Sequence, residues 1–129
     1  MKPQDLEALR GLRVLVVEDN YVLAESMRWA LEGFGCNVVG PVPSSERALG
    51  LLAEKAVDAA ILDIDLQGKS SGPVAEYLVD AGLPFLFLTG FESAALLPES
   101  LHERPCLNKP VDPDLLASTL ANEVAQIQK

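Results

Sequence analysis

Short, continuously apolar runs recur along this chain, and the stretches between them carry apolar residues at helical spacing. The clearest runs are Val14–Val17, Ala59–Leu62 and Pro84–Leu88, and weaker ones lie at Val38–Val39 and Cys106–Leu107. A strand that is apolar on both of its faces belongs in a sheet that is covered on both sides. Five such strands alternating with helices predict an α/β domain with a parallel sheet between two helical layers.

Four helices are predicted between and after these strands. Their starts and ends are marked by caps and breakers: Asn20 and Gly35 for the first, Ser44 or Ser45 before the second, Pro73 and Gly82 for the third, and Asp112 before the last. Right-handed crossovers leave only a few strand orders for such a chain, and the flavodoxin-like doubly wound order 2-1-3-4-5 is one of them.

Composition and charge narrow the class of protein. The chain has 129 residues, which is enough for one domain, and its net charge of −9 argues against a nucleic-acid surface. The N-terminus lacks the apolar core of a signal peptide, and the longest apolar run, at 83–88, is too short to span a membrane. A cytoplasmic location follows by default.

Cys36 and Cys106 match no metal-binding spacing, and we expect both to be buried, reduced thiols.

Polar residues follow four of the predicted strands at the point where each strand ends. They are Glu18 and Asp19 after the first strand, Asp63 and Asp65 after the third, Thr89 after the fourth, and Lys109 with Pro110 after the fifth. The carboxyl ends of parallel strands meet at one edge of the sheet, where sites in such folds form. We therefore expect a pocket with several carboxylates, one hydroxyl group and one ammonium group.

Such a pocket favours magnesium-assisted phosphoryl transfer. Several acids cannot share a cleft without a cation, and an all-oxygen ligand set is typical of Mg²⁺. A carboxylate is ionised at neutral pH, so it can attack phosphorus without a general base. Mg²⁺, a lysine and a hydroxyl donor would neutralise the charge on the phosphoryl oxygens. The lone histidine, His102, lies in a polar stretch, and we interpret it as a surface residue.

The ordered set VLVVEDN, AAILDIDLQG, FLFLTG and LNKP resembles the receiver domain of bacterial two-component response regulators. The resemblance runs from about Leu12 to Ile127, which makes 12–129 the receiver domain and 1–11 an N-terminal extension. It implies a flavodoxin-like (βα)5 fold with a parallel five-stranded sheet in the order 2-1-3-4-5.

The resemblance also implies a role for each residue of the pocket. Asp63 would accept a phosphoryl group from the phosphohistidine of a histidine kinase. The Lys109–Pro110 peptide bond would be cis, which is uncommon enough to be a useful check. The remaining roles are Mg²⁺ ligation by Glu18, Asp19, Asp63 and the backbone carbonyl of Asp65, and phosphoryl binding by Thr89 and Lys109.

A narrower resemblance concerns residues 87–91, which read Phe-Leu-Thr-Gly-Phe. They are similar to the Phe-Ala-Thr-Gly-Tyr-like signature of a group of stand-alone receivers. That group is associated with histidine kinases of the HWE type or related types, and often with general stress signalling in alphaproteobacteria. Because the chain stops at Lys129 soon after the last helix, we expect output by protein–protein contact or by phosphotransfer.

Three departures from the family pattern bear on mechanism. Cys106 stands where many receivers carry a switch tyrosine or phenylalanine. Phe91 is the candidate substitute for that aromatic residue. The alternative is that Phe91 lies at the rim of the pocket and shields it. Pro98 restricts the fourth helix of the receiver to about 92–97, which predicts a short or irregular helix. Gln67 replaces a common proline, which predicts a changed loop shape after the acceptor.

Trp29 is a candidate partner contact on the first predicted helix. It lies away from the inward stripe of that helix and, with Val22, would form an apolar flank. Receivers dock kinases through this helix and the loop after the fifth strand, so Trp29 is a plausible anchor for that contact. The alternative is a tryptophan that lies flat over a neighbouring element.

Two other functions share part of the pattern. Asp63-Ile64-Asp65 also resembles the Asp-x-Asp opening of haloacid-dehalogenase-type phosphatases, but those motifs continue differently from Leu66-Gln67. The second alternative is a pseudo-receiver that binds partners without being phosphorylated. The complete set of acids, hydroxyl and lysine favours a phosphoryl acceptor, which is not an enzyme with turnover, over both.

Overall fold

The computed structural model of the chain describes residues 2–90, 99–101 and 104–127, and these contain five α-helices and seven strands. The helices are α1 (Pro3–Leu9), α2 (Tyr21–Gly33), α3 (Ser45–Glu54), α4 (Gly72–Ala81) and α5 (Pro113–Ile127). The strands are β1 (Arg13–Val17), β2 (Asn37–Val42), β3 (Ala59–Asp63), β4 (Asp65–Leu66), β5 (Lys69–Ser70), β6 (Phe85–Thr89) and β7 (Cys106–Asn108). The helix predicted at 92–97, and Pro98 after it, lie outside the described residues.

Five strands form one parallel sheet in the order β2-β1-β3-β6-β7. In the numbering of the predicted strands this is 2-1-3-4-5, so the flavodoxin-like order is confirmed. β3 lies at the centre, where Ile61 pairs with Val16 on one side and with Leu86 on the other. The remaining strands, β4 and β5, form a separate antiparallel hairpin directly after β3.

Alternate residues of the central strands fill two cores, one on each face of the sheet. In each core a pair of long helices packs on the sheet residues, and because both faces are covered in this way the central strands are apolar at every position. The first core includes Val14, Val16, Ile61 and Leu86 with Met27 and Leu31 of α2 and Leu116 and Leu120 of α5. The second includes Leu15, Val17, Leu62 and Phe87 with Ala48 and Leu52 of α3 and Val74 and Leu78 of α4.

The helix boundaries follow the predicted caps. Asn20 Oδ1 accepts a hydrogen bond from Leu23 N at 3.0 Å, and Ser44 Oγ, rather than that of Ser45, accepts one from Arg47 N at 3.2 Å. At α5, Asp112 Oδ2 accepts from Leu115 N at 3.1 Å. Gly82 ends α4 in the left-handed conformation. Within the described part of the chain, no helix is both long enough and apolar enough to cross a membrane.

α1 was not expected as a helix, and it belongs to the first core. Leu9, at its last position, is fully buried among the side chains of that core. Backbone hydrogen bonds then hold the turn that leads into β1, with Gly11 N donating to Gly35 O and Asn37 N donating to Leu12 O, both at 2.8 Å. Part of the predicted N-terminal extension therefore packs as part of the domain.

β2 is longer than predicted because it contains an irregular step at Gly40. The register with β1 shifts between Leu15 and Val17, and the Gly40–Pro41 peptide bond is cis. Gly40 has a φ of +93°, and a Cβ atom there would lie 2.9 Å from Val42 N. Only glycine fits this step. Beyond the step, Val42 O accepts a hydrogen bond from Glu18 N at 3.0 Å.

The prediction of two buried cysteines is wrong for one of them. Cys36 is buried in the first core, as expected, but Cys106 is exposed. The physical reason is its position in β7, a strand of three residues at the edge of the sheet, where neighbours cover less of each side chain. Both thiols are free.

Candidate functional site

The parallel register brings the predicted site residues to one edge of the sheet. Val17 pairs with Leu62, so Glu18 follows β1 beside the end of β3, where Asp63 is the last strand residue. Asp63 in turn pairs with Leu88 on β6, one residue before Thr89. The sheet therefore places residues that are far apart in sequence within reach of one another, as expected from strand ends alone.

Three carboxylates cluster at this edge. Each of Glu18, Asp19 and Asp63 offers an oxygen that lies within 4.8 Å of the others. Glu18 and Asp63 are each only 2% exposed, whereas Asp19 is partly buried. Burial, and then the hydrogen bond and negative charge of Glu18, raise the pKa of Asp19 above its ordinary value. The cluster is thus short of positive charge.

Lys109 reaches into this cluster from the end of β7. Its Nζ donates a hydrogen bond to Asp63 Oδ2 at 2.8 Å and lies 2.8 Å from Glu18 Oε1. Burial lowers the pKa of Lys109, but the hydrogen bonds and charges of Asp63 and Glu18 outweigh it and hold that pKa above the ordinary value. The ammonium group therefore stays charged at neutral pH.

The donor set fits a divalent cation with oxygen ligands. Among the described residues, one lysine faces the three carboxylates, and Glu18 Oε1, although fully buried, has no well-aligned hydrogen-bond donor despite its ion pair. A second cation among Glu18, Asp19 and Asp63 would compensate the remaining charge, and carboxylate oxygens are ligands that Mg²⁺ accepts. Glu18 is held in place by two hydrogen bonds of 3.0 Å: its backbone N donates to Val42 O, and Asn20 N donates to its Oε2.

The loop after Asp63 is tied to the Asp63 carboxylate by its backbone. Asp65 N donates a hydrogen bond to Asp63 Oδ1 at 3.2 Å. The Asp65 side chain turns into the loop, where its Oδ1 accepts from Gly68 N at 2.6 Å. Gln67 and Gly68 form the turn between β4 and β5 with φ values of 57° and 84°. Gln67, from which a changed loop shape is predicted, lies in the turn of this tight hairpin, which the apolar pattern did not reveal.

Thr89 and Lys109 are joined through the backbone of β6 and β7. Lys109 N donates to Thr89 O at 3.0 Å, and Thr89 Oγ1 donates to Gly90 O at 2.8 Å. The Lys109–Pro110 peptide bond that follows is cis. Phe91, the candidate switch aromatic, and His102 lie outside the described residues.

Two concave surfaces flank α2. A cavity of about 530 Å³ lies beside Glu18 and Asp19, between α2 and the Gly40–Pro43 segment. A smaller groove of about 160 Å³ runs along the other side of α2; its lining residues are Leu23, Ser26, Met27, Ala30, Pro110, Val111, Pro113 and Leu116. Trp29 is 71% exposed and Val22 is 76% exposed, so neither lies flat over a neighbouring element.

Sequence reasoning missed the groups that hold the acids in place. Val42 O and the Gly68 N–H group are backbone atoms, and no side-chain pattern points to them. The available signals were the dipeptides Gly40-Pro41 and Gln67-Gly68, since glycine next to proline or in a short loop marks a turn.

Comparison with known proteins agrees with this geometry. The family model of the response regulator receiver domain matches residues 14–121. Among solved structures, the solution structure of SdrG from Sphingomonas melonis Fr1 is 32% identical, with a TM-score of 0.75, and the match covers 92% of this chain and 98% of that one. A CheY-like receiver domain protein from Methanospirillum hungatei JF-1 is 21% identical, with coverage of 92% and 97% and a TM-score of 0.76, which shows the same fold.

One curated relative is similar over part of its length. The phyllosphere-induced regulator PhyR of Methylorubrum extorquens is 26% identical over 121 residues, which is 92% of this chain and 45% of that protein. The chain therefore spans less than half the length of the curated relative that it matches.

Proposed function

The chain belongs to the response regulator receiver domain family, and we propose that it accepts a phosphoryl group from a histidine kinase on Asp63 with the help of Mg²⁺. The observation that carries this proposal is the burial of Asp63 and the charged groups around it. It is a nearly fully buried carboxylate at the end of the central strand, with Lys109 Nζ at 2.8 Å and two further acids beside it. Receiver domains typically bind Mg²⁺ at such an acidic pocket.

In the proposed reaction, a carboxylate oxygen of Asp63 forms a bond to phosphorus. The bond between phosphorus and the imidazole nitrogen of the donor breaks, and the electron pair stays on that nitrogen, which takes up a proton. A carboxylate attacks as the anion, so this step needs no general base. Lys109 is close enough to Asp63 to neutralise a phosphoryl oxygen on it, and Thr89 adds a hydroxyl group at the end of the neighbouring strand.

Mg²⁺ would be held by Glu18, Asp19, Asp63 and the backbone carbonyl of Asp65. When bound, it would supply positive charge to the phosphoryl oxygens. The three carboxylates that already share one site support this ligand set.

Incubation with acetyl phosphate and Mg²⁺ tests the acceptor. We expect one acid-stable, base-labile phosphoryl group per chain in the wild type and none in Asp63→Asn. Asp112→Asn is the matched control, because asparagine still caps α5, and it should be labelled like the wild type. A label that survives Asp63→Asn would refute the assignment of the site. An unlabelled wild type would favour the pseudo-receiver, and sustained turnover of a phosphomonoester would favour the phosphatase.

We also propose that the kinase docks on α2. Val22 and Trp29 have exposed side chains on α2, the helix whose residues Leu23, Ser26, Met27 and Ala30 line one wall of the apolar groove towards the segment that follows β7. An exposed tryptophan beside such a groove suits an anchor in a protein interface. Transfer from a candidate kinase of the HWE type or a related type, which this group of receivers suggests, should fall at least tenfold in Trp29→Ala.

Labelling by acetyl phosphate separates docking from chemistry, since it needs no kinase and should stay intact in Trp29→Ala. Tyr77→Ala is the control for loss of an exposed aromatic, because Tyr77 lies on α4, on the opposite face of the sheet. Equal loss of kinase transfer in both variants would contradict docking at α2.

After phosphorylation, we propose output by protein–protein contact or onward phosphotransfer, without phosphatase turnover. The added phosphoryl group brings roughly 1.5 to 2 negative charges to a pocket that is already acidic. The resemblance to a protein described as a regulator supports a role in signalling. We place the protein in the cytoplasm, a compartment in which two free thiols are expected.

A further inference from the structure

The side chain of Asp65 forms a hydrogen bond within the loop that follows Asp63. Its Oδ1 accepts a hydrogen bond from Gly68 N at 2.6 Å, across the turn of the β4–β5 hairpin. The backbone of the same residue faces the site, because Asp65 N donates to Asp63 Oδ1 at 3.2 Å. One residue therefore links the geometry of the hairpin to the geometry of the acceptor.

The hairpin is short, and the other contacts described for it lie at its base rather than at its tip. Its strands contain two residues each, and a two-stranded hairpin of this size is marginal on its own. The turn is strained, because Gln67 is a non-glycine residue with a φ of 57°. The base is anchored by Ser71 N, which donates to Ile64 O at 3.0 Å, and by the buried side chain of Leu66. The tip is held by the bond from Gly68 N to Asp65.

That bond is of the stronger kind. A backbone N–H group that donates to an ionised carboxylate makes a shorter and stronger hydrogen bond than a neutral pair does. At 2.6 Å it is shorter than the 3.2 Å bond between Asp65 N and Asp63. Loss of the Asp65 side chain would leave the turn to relax, and the Asp65 peptide groups would move with it.

We infer that Asp65 is a positioning residue, whose carboxylate closes the hairpin and thereby fixes the Asp65 backbone against Asp63, where its carbonyl would take Mg²⁺. This inference rests on the proposed function, and it gives the side chain a mechanical role. The competing possibility is that the Asp65 charge acts directly on the metal or on the phosphoryl group. Asparagine separates the two, because it keeps the Oδ1 acceptor and removes the charge.

The test compares Mg²⁺ binding, measured by titration calorimetry, in the wild type, Asp65→Asn and Asp65→Ala. We expect Asp65→Asn to bind within about threefold of the wild type. Asp65→Ala should bind roughly tenfold more weakly, the effect of losing one hydrogen bond of ordinary strength. Asp80→Asn, an exposed acid on α4, controls for the change in net charge and should match the wild type.

Two further measurements report on the hairpin itself. In protein without metal, the Gly68 amide should exchange hydrogen at least tenfold faster in Asp65→Ala than in the wild type or Asp65→Asn. In the double variant Asp65→Ala/Gln67→Asn, the Asn-Gly turn favours the hairpin and should recover part of the Mg²⁺ affinity.

Each result decides for or against the inference. Equal weakening in Asp65→Asn and Asp65→Ala would overturn it in favour of charge, and no weakening in either would overturn it outright. Unchanged Gly68 exchange in Asp65→Ala would also overturn it. If the wild type itself binds no Mg²⁺, the proposed function fails and the inference fails with it. If the wild type and all Asp65 variants bind Mg²⁺ equally well, only the inference fails, so the two failures are distinguishable.

Discussion

Lys109 joins two carboxylates that are almost fully removed from water. Its Nζ lies 2.8 Å from both Glu18 Oε1 and Asp63 Oδ2. Removing one partner of a buried ion pair is costly, because the remaining charge keeps its desolvation penalty without compensation. In this protein two charges would be left, so we expect Lys109 to stabilise the fold in addition to the phosphoryl-binding role proposed for it.

Replacement of Lys109 by methionine should therefore lower the free energy of unfolding in the absence of metal. We expect a loss of about 3 kcal/mol by urea denaturation, the size seen when a buried ion pair is broken. Addition of Mg²⁺ should restore part of it by compensating the same carboxylates. The double variant Lys109→Met/Glu18→Gln should recover stability without metal; no loss in the single variant would contradict the electrostatic role of Lys109.

Two glycines give opposite expectations for the same substitution. Gly40→Ala should destabilise the fold by about 2 kcal/mol, since a φ of +93° and an approach of 2.9 Å to Val42 N both disfavour a Cβ atom. Gly50→Ala, in the middle of α3 with open space around it, should stabilise by roughly 0.5–1 kcal/mol. Thermal denaturation of both variants measures the difference, and a neutral Gly40→Ala would contradict the strained step in β2.

Single residues at the strand ends could be predicted from sequence, whereas their partners could not. Apolar runs locate the end of each strand, and a parallel sheet brings those ends together, which is enough to name Glu18, Asp63 and Lys109. The reach of Lys109 to both acids depends on side-chain rotamers that no pattern encodes. The turn of Asp65 towards Gly68 depends on a hairpin only two residues long per strand, too short for a periodic signal.

At the scale of elements, an ion pair joins the start of β1 to the residue before β3. Arg13 donates from Nε and Nη2 to the two carboxylate oxygens of Asp58 at 2.9 and 2.8 Å, and its backbone N donates to the same carboxylate at 2.9 Å. Asp58 N in turn donates to Arg13 O at 2.8 Å. These bonds fix the register of two neighbouring strands at the amino ends, opposite to the site.

The Arg13 hydrogen bonds hold the pKa of Asp58 below its ordinary value, so this contribution to stability depends on pH. A lowered pKa in the folded state means that the stabilisation is present above the ordinary carboxyl pKa and is lost as pH falls through the lower, folded value. Asp58→Asn should therefore be less stable than the wild type at pH 7, and the gap should begin to narrow near about pH 4 and close only as the pH falls through the lower, folded pKa of Asp58. Denaturation at both pH values measures it; a gap that persists at low pH would contradict an ionic cause.

Elements with a strong apolar pattern were predicted, and those without one were not. The five strands of the sheet and helices α2 to α5 have continuous runs or clear stripes, backed by caps such as Ser44 and Asp112. α1 has seven residues and contributes one fully buried side chain, Leu9, so its stripe is too short to recognise. β2 was predicted too short because Gly40 and Pro41 interrupt its pattern, although pairing with β1 resumes at Val42.

At the scale of the whole molecule, the two cores differ in what covers them. The core between the sheet and helices α2 and α5 also receives α1, through Leu9. The core on the other face is covered by α3 and α4. The first core therefore includes residues that precede the match to the family model, which begins at residue 14.

Leu9→Ala should destabilise the domain as a core substitution does, by about 3 kcal/mol. The control is Leu6→Ala on the same helix, because Leu6 is 42% exposed and should cost well under about 1 kcal/mol. Urea denaturation of both variants gives the comparison. Equal, small losses of stability in both variants would mean that α1 contributes little to the core. The folded unit would then begin at residue 12, as the sequence predicts, rather than at α1.

The two halves of the site stand on strands with very different protection. Asp63 ends β3, which has a hydrogen-bonded neighbour on each side, whereas Lys109 follows the three residues of β7 at the edge. Local opening begins where contacts are few, so we expect β7 to open more often than β3, which should open only with the whole domain. Asp63 would then keep its position between global unfolding events. Lys109 would lie beside Asp63 only while the edge strand is closed, so the lifetime of the Lys109–Asp63 ion pair would depend on how often β7 opens.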